Sequence, residues 1–118
     1  MSTLIMKYGS SGMTGGNNSS LVYSGVIDDA NTDDLVFESS SMYVIYTKEY
    51  NASTGAYRGH RGVLIATPEE GVSAAVGHTN FGASTNSGVT ITYNNDGTVT
   101  IARSSATYAV KYAVYKVF

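Results

Sequence analysis

Between Gly88 and Arg103 the chain leaves little choice of conformation. Val89, Ile91 and Tyr93 alternate with Thr90 and Thr92, Asn94-Asn95-Asp96-Gly97 intervenes, and Val99 and Ile101 then alternate with Thr98 and Thr100. A period of two is the pattern of a strand with one buried face. A three-residue hairpin loop, a type I turn closing on a glycine in the left-handed region, would use Asn95, Asp96 and Gly97. That loop pairs Asn94 with Thr98, Tyr93 with Val99 and Ile91 with Ile101, and gathers every apolar side chain of both strands on one face. A loop longer or shorter by one residue breaks the match.

The rest of the chain uses the same vocabulary. It has 13 Gly, 10 Tyr and a single Pro among its 118 residues, and no window carries a sustained helical stripe. β-branched and aromatic residues favour pleated strands, and Gly, Asn, Asp and Ser supply turns. Further strands are expected at Thr3–Tyr8, Leu21–Ile27, Leu35–Glu38, Ser41–Tyr50, Gly62–Thr67, Val72–His78 and Tyr108–Phe118, the last with its end packed. Residues 9–20 (GSSGMTGGNNSS) read as a flexible surface loop, 28–34 (DDANTDD) as an acidic turn and 51–60 (NASTGAYRGH) as a loop. The expectation is a single all-β domain over residues 1–118, an antiparallel β-sandwich, jelly-roll or Ig-like, of about eight to nine short strands.

Composition removes several function classes. Only 14% of residues are charged and the formal net charge is -2, so nothing attracts nucleic-acid phosphates. With no cysteine, disulfides, thiolate nucleophiles and cysteine-ligated zinc are excluded. The longest apolar run is far too short to span a membrane as a helix, and Met1–Tyr8 does not read as a secretory signal. The sequons at Asn18 and Asn51 would matter only in a eukaryotic secretory pathway.

Catalysis has few candidates. The two histidines are His60 and His78; neither is assigned a proton-transfer role, and His78 reads as an ordinary polar residue. Glu69 and Glu70 are neighbours, so on a strand they face opposite ways and cannot form a carboxylate pair by themselves. No nucleophile elbow, P-loop or H-E-x-x-H motif is present, and neither an enzymatic activity nor a cofactor is expected. Asp29, Asn31 and Asp33 have the alternate spacing that opens a calcium loop, but Asp34 stands where such a loop needs glycine and Ser40 where it needs glutamate. A plain acidic turn is the better reading, and no metal is expected.

Two features point to binding. Arg58-Gly59-His60-Arg61-Gly62 is a compact basic cluster whose arginines suit a carboxylate or phosphate. Tyrosine is enriched where proteins touch partners or sugars; Tyr43, Tyr46, Tyr93, Tyr108 and Tyr112 lie on strong strands and read as structural, whereas Tyr50 and Tyr57 flank the 51–60 segment. Tyr50, Tyr57, Arg58, His60 and Arg61 are therefore the candidate binding residues. The terminal strand carries Tyr108, Val110, Tyr112 and Val114 on one face and Ala109, Ala113, Tyr115 and Val117 on the other. A sandwich core needs one apolar face, so Tyr115 and Val117 are candidates for an interface with another subunit.

The Gly/Ser/Asn-rich start, SSSMYVIYTKEY, SGVTITYNNDGTVTIA and the terminal YAVKYAVYKVF together resemble small β-sandwich domains of bacteriophage tail-fibre and other minor virion proteins. The resemblance spans residues 35–118 and carries over no catalytic residue. It implies an exposed virion protein made in the host bacterial cytoplasm and active as a homo-oligomer (a trimer is favoured) beside other virion proteins. The leading reading is a non-enzymatic tail-fibre or tail-tip component serving host-surface attachment, with a host-surface glycan as candidate partner. A capsid decoration protein and a carbohydrate-binding module are the alternatives.

Overall fold

A computed structural model describes the backbone of residues 2–7 and all of residues 20–72, 76–81 and 88–118. Nine strands follow in chain order: β1 (Ser2–Lys7), β2 (Ser20–Ile27), β3 (Asp33–Val36), β4 (Met42–Asn51), β5 (Tyr57–Ala66), β6 (Gly77–Phe81), β7 (Val89–Tyr93), β8 (Thr98–Arg103) and β9 (Tyr108–Lys116). They form a six-stranded sheet, ordered β1-β2-β9-β4-β5-β6, and a three-stranded sheet, ordered β3-β8-β7. Every strand pair is antiparallel. The all-β sandwich read from the sequence is the fold.

The core lies between the sheets and follows from alternation. On β4, Tyr43, Ile45, Thr47 and Glu49 are buried while Met42, Val44, Tyr46, Lys48 and Tyr50 point the other way. Val63 and Ile65 of β5, with Val110, Tyr112 and Val114 of β9, complete the inner face of the large sheet. Leu35, Val89, Ile91, Val99 and Ile101 cover it from the small one. The β7–β8 hairpin has the register its turn chemistry requires: Tyr93 pairs with Val99 and Ile91 with Ile101. Gly97 sits at φ 83°, and Asp96 accepts hydrogen bonds from the Thr98 amide (3.0 Å) and hydroxyl (2.6 Å).

Three tyrosines reach from the large sheet to the segment carrying β3. The Tyr112 hydroxyl donates to Asp33 Oδ2 at 2.6 Å, the Tyr23 hydroxyl donates to the Val36 carbonyl at 2.7 Å, and the Tyr43 hydroxyl accepts from the Glu38 amide at 2.9 Å. Most buried phenols find such a partner, and here each partner lies in the short edge strand or just beyond it. Burial first, and then the Asp33 carboxylate, push the Tyr112 hydroxyl far above its ordinary pKa.

Four expectations need correction. Residues 57–61 are not loop but the first half of β5, whose partners on β4 were hidden by the glycines and charges of the segment. The strand expected at Val72–His78 lies instead at Gly77–Phe81; its residues are all exposed, so no apolar alternation marks it. Residues 73–75 of the expected strand lie outside the described residues. β9 ends at Lys116, and although Phe118 exchanges backbone hydrogen bonds with Met42, its side chain is 75% exposed rather than packed. Ser20, assigned to the flexible loop, begins β2; residues 9–19 of that loop, with the sequon Asn18, lie outside the described residues.

Candidate functional site

The basic cluster of β5 is divided by the pleat. The register slips between Glu49 and Tyr50, so Glu49 pairs with Gly59, Tyr50 pairs with Tyr57, and Arg58 is the extra residue of a β-bulge. A bulge re-aims a side chain, and Arg58 turns to the inner face. There its Nη2 and Nε donate to Glu49 Oε1 at 3.1 Å and 3.3 Å, and its guanidinium lies 3.5 Å from the centroid of the Tyr108 ring. Glu49 is 2% exposed and also accepts the Gly88 amide. A Cβ on Gly88 would lie 2.7 Å from that carboxylate oxygen, so a side chain there would displace Glu49 from this bond. Arg61 points inward too: its Nε donates to Asn80 Oδ1 at 3.0 Å and its Nη1 to the Val89 carbonyl at 3.4 Å. Both arginines thus dock the start of β7 against the large sheet.

His60 leaves the opposite face, and there the remaining candidates meet. Tyr50 and Tyr57 have ring centroids 5.7 Å apart, and His60 lies 6.3 Å from Tyr46. The Lys48 amine stands 5.8 Å from the Tyr46 centroid and 5.2 Å from that of Tyr57, within cation–π range. Small residues beside the rings leave hollows. One of about 350 Å³ lies over Ser24, Gly25 and Ala113 between Tyr46 and Tyr115, with Lys48 and Lys111 in its wall. Another of about 350 Å³ runs from Tyr46 and Lys48 to Tyr57 and His60.

This outward face of the six-stranded sheet has two halves. Toward one end it is apolar: Leu21, Val44, Leu64, Tyr115 and Val117, with the last two 37% and 48% exposed. Toward the other it is aromatic and basic: Tyr46, Lys48, Tyr50, Tyr57, His60 and Lys111. Of the five residues singled out in the sequence, Tyr50, Tyr57 and His60 share this half; Arg58 borders the second hollow but turns its guanidinium to Glu49, and Arg61 lies on the inner side. Tyr46, Lys48 and Lys111 complete it. Tyr46 read as structural because its strand is strong, and only the buried Tyr43 and Ile45 beside it show that Tyr46 faces out.

The other chemistry-bearing groups lie elsewhere. Asp29 accepts the Asn31 amide at 2.9 Å and the Asn31 side-chain nitrogen at 3.0 Å, an Asx turn, while Asp33 takes the Tyr112 hydroxyl. Among the described residues no three His, Asp or Glu side chains gather closely enough to hold a metal ion. A cleft of about 480 Å³ separates Pro68, Glu69 and Glu70 from Asn95 and Asp96 at the hairpin tip. The hydrogen bonds from Thr98 lower the pKa of Asp96, the opposite of what a carboxyl needs to act as a general acid. His78 stacks on Tyr93 at 3.6 Å between centroids.

No protein-family model and no curated protein matches the chain. Among solved structures, the chain is similar to the tailspike protein gp49 of Acinetobacter baumannii bacteriophage Fri1, a capsular polysaccharide depolymerase, at 16% identity and a TM-score of 0.53. The match covers 86% of this chain and 20% of the tailspike. At that identity the likeness is one of fold: the β-sandwich described here recurs as a part of a much longer phage tail protein.

Proposed function

We propose that the chain is a non-enzymatic component of a bacteriophage virion, of the tail-fibre or tail-tip type, that attaches to a host-surface glycan through the aromatic half of its outward sheet face. The observation that carries this reading is the placement of Tyr46 and Tyr57, with Lys48 between their rings, at two hollows of the outward face. A tyrosine ring packs against the C–H face of a sugar while its hydroxyl stays solvated. The shared fold with part of a phage tailspike supports the virion setting. The apolar half, at Tyr115 and Val117, is where a further copy of the chain docks, giving a homo-oligomer with a trimer favoured. The protein is made in the bacterial cytoplasm and works in the particle.

Retention on immobilised bacterial capsular polysaccharides and lipopolysaccharide O-chains tests the reading. The chain should be retained by at least one of them, and the Tyr46→Ala/Tyr57→Ala pair should weaken that binding about tenfold or more, as the loss of two stacking surfaces predicts. Shortening of the polysaccharide during contact would show an enzyme instead. Retention unchanged in the double variant would remove the face from the reading.

A further inference from the structure

Lys48 is the register partner of Lys111 on β9 and of His60 on β5, so three basic side chains form one row across three adjacent strands. Like charges directly opposite one another destabilise a strand pair, which sets the Lys48–Lys111 pairing against the cation–π contacts of Lys48 with Tyr46 and Tyr57. No outward position of β2, β4, β5, β6 or β9 is Asp or Glu, although the chain is acidic overall; Asp28, the nearest acid along β2, lies beyond its end. Among the described residues neither lysine has a carboxylate partner: the ion pairs are Arg58–Glu49 and Lys116–Glu38. Lys48 and Tyr46 form the ridge between the two hollows, one reaching Lys111 and the other His60. A basic row without a facing carboxylate and bordered by aromatic rings has the chemistry of a site for an anionic ligand with an apolar face.

We propose that the Lys111–Lys48–His60 row binds the acidic substituent of an anionic saccharide whose ring lies on Tyr46 or Tyr57. The saccharide chain runs across the strands, from the Lys111 hollow over the Lys48 ridge to the His60 hollow. This rests on the reading of the face as a glycan surface and adds the charge of the ligand. Lysine amines are compact, rotatable point charges, suited to a carboxylate or a phosphate presented at varied angles, and their hydrogen bonds to an anion are charge-assisted.

Titration of the full chain, followed by amide NMR, separates the possibilities, with glucuronate, glucose 6-phosphate, glucose and acetate as probes at matched ionic strength. Glucuronate or glucose 6-phosphate should shift the signals of residues 46–48, 60 and 111 saturably, at concentrations about tenfold below those needed for glucose or acetate. Which of the two acts tells carboxylate from phosphate. The Lys48→Gln/Lys111→Gln variant should lose this preference while its melting temperature holds or rises, since a like-charge contact has gone. The Lys48→Arg/Lys111→Arg variant should keep the preference, and serves if the glutamine variant does not fold. Equal response to glucose and to the anionic sugars, or a preference surviving in the glutamine variant, overturns the proposal and leaves the glycan face standing. Acetate acting as well as the anionic sugars overturns it as well. No shift on this face with any sugar overturns both.

Discussion

The two arginines of one pentapeptide show how much a single position on a pleat decides. Arg58 is aimed inward by a bulge and neutralises a carboxylate that is 2% exposed. Arg58→Ala leaves that carboxylate without its cation, and because the guanidinium is itself 32% exposed the cost should be about 1–2 kcal/mol, read as a lowered urea midpoint at unchanged slope. Tyrosine hydroxyls divide in the same way. Tyr112 bonds Asp33 across the sandwich, and Tyr112→Phe should cost about 1–3 kcal/mol through the stranded acceptor. The Tyr93 hydroxyl is buried without a hydrogen-bond partner among the described residues. Tyr93→Phe should therefore be neutral or slightly stabilising in the same denaturation experiment.

At the scale of elements, the β7–β8 hairpin was legible because everything that defines it is local. Turn residues, register and apolar face all lie within about a dozen positions. Gly97 has open space around it and φ 83°, so Gly97→Ala meets backbone strain alone and should cost about 1–2 kcal/mol without changing the fold seen by NMR. The first half of β5 and the whole of β6 were not legible. The Arg58-Gly59-His60-Arg61 stretch has no alternation of its own and becomes a strand by pairing with Lys48 and Glu49. β6 is an exposed edge strand, so burial leaves no imprint on its sequence. The candidate site was half legible for the same reason: Tyr50, Tyr57 and His60 are close in sequence, whereas Lys111 joins them only through the β4–β9 register.

For the whole molecule, alkaline pH and self-association are the informative probes. Burial raises the pKa values of Tyr43, Tyr93 and Tyr112 above the ordinary 10.0, with the bond to Asp33 adding to the shift at Tyr112. A raised folded-state value means that this contribution is complete below the ordinary value and is lost as pH climbs beyond it. The melting temperature should hold up to about pH 10 and fall above it, with tyrosinate absorbance appearing together with unfolding. Tyr115→Asp puts a charge in the apolar half of the outer face. Sedimentation should show the native chain as an oligomer and the variant shifted to monomer with its circular dichroism retained; a native monomer at high concentration would remove the oligomer. The order of the large sheet has one more consequence. β9, last of the strands in the sequence, lies between β2 and β4. Until it is in place, those two strands have no partner on one side and the inner face lacks Val110, Tyr112 and Val114. Completion of the large sheet therefore requires residues 108–116 and the closing of long loops, an entropic cost that short-range pairing avoids, and a chain lacking β9 exposes two open strand edges to any neighbour.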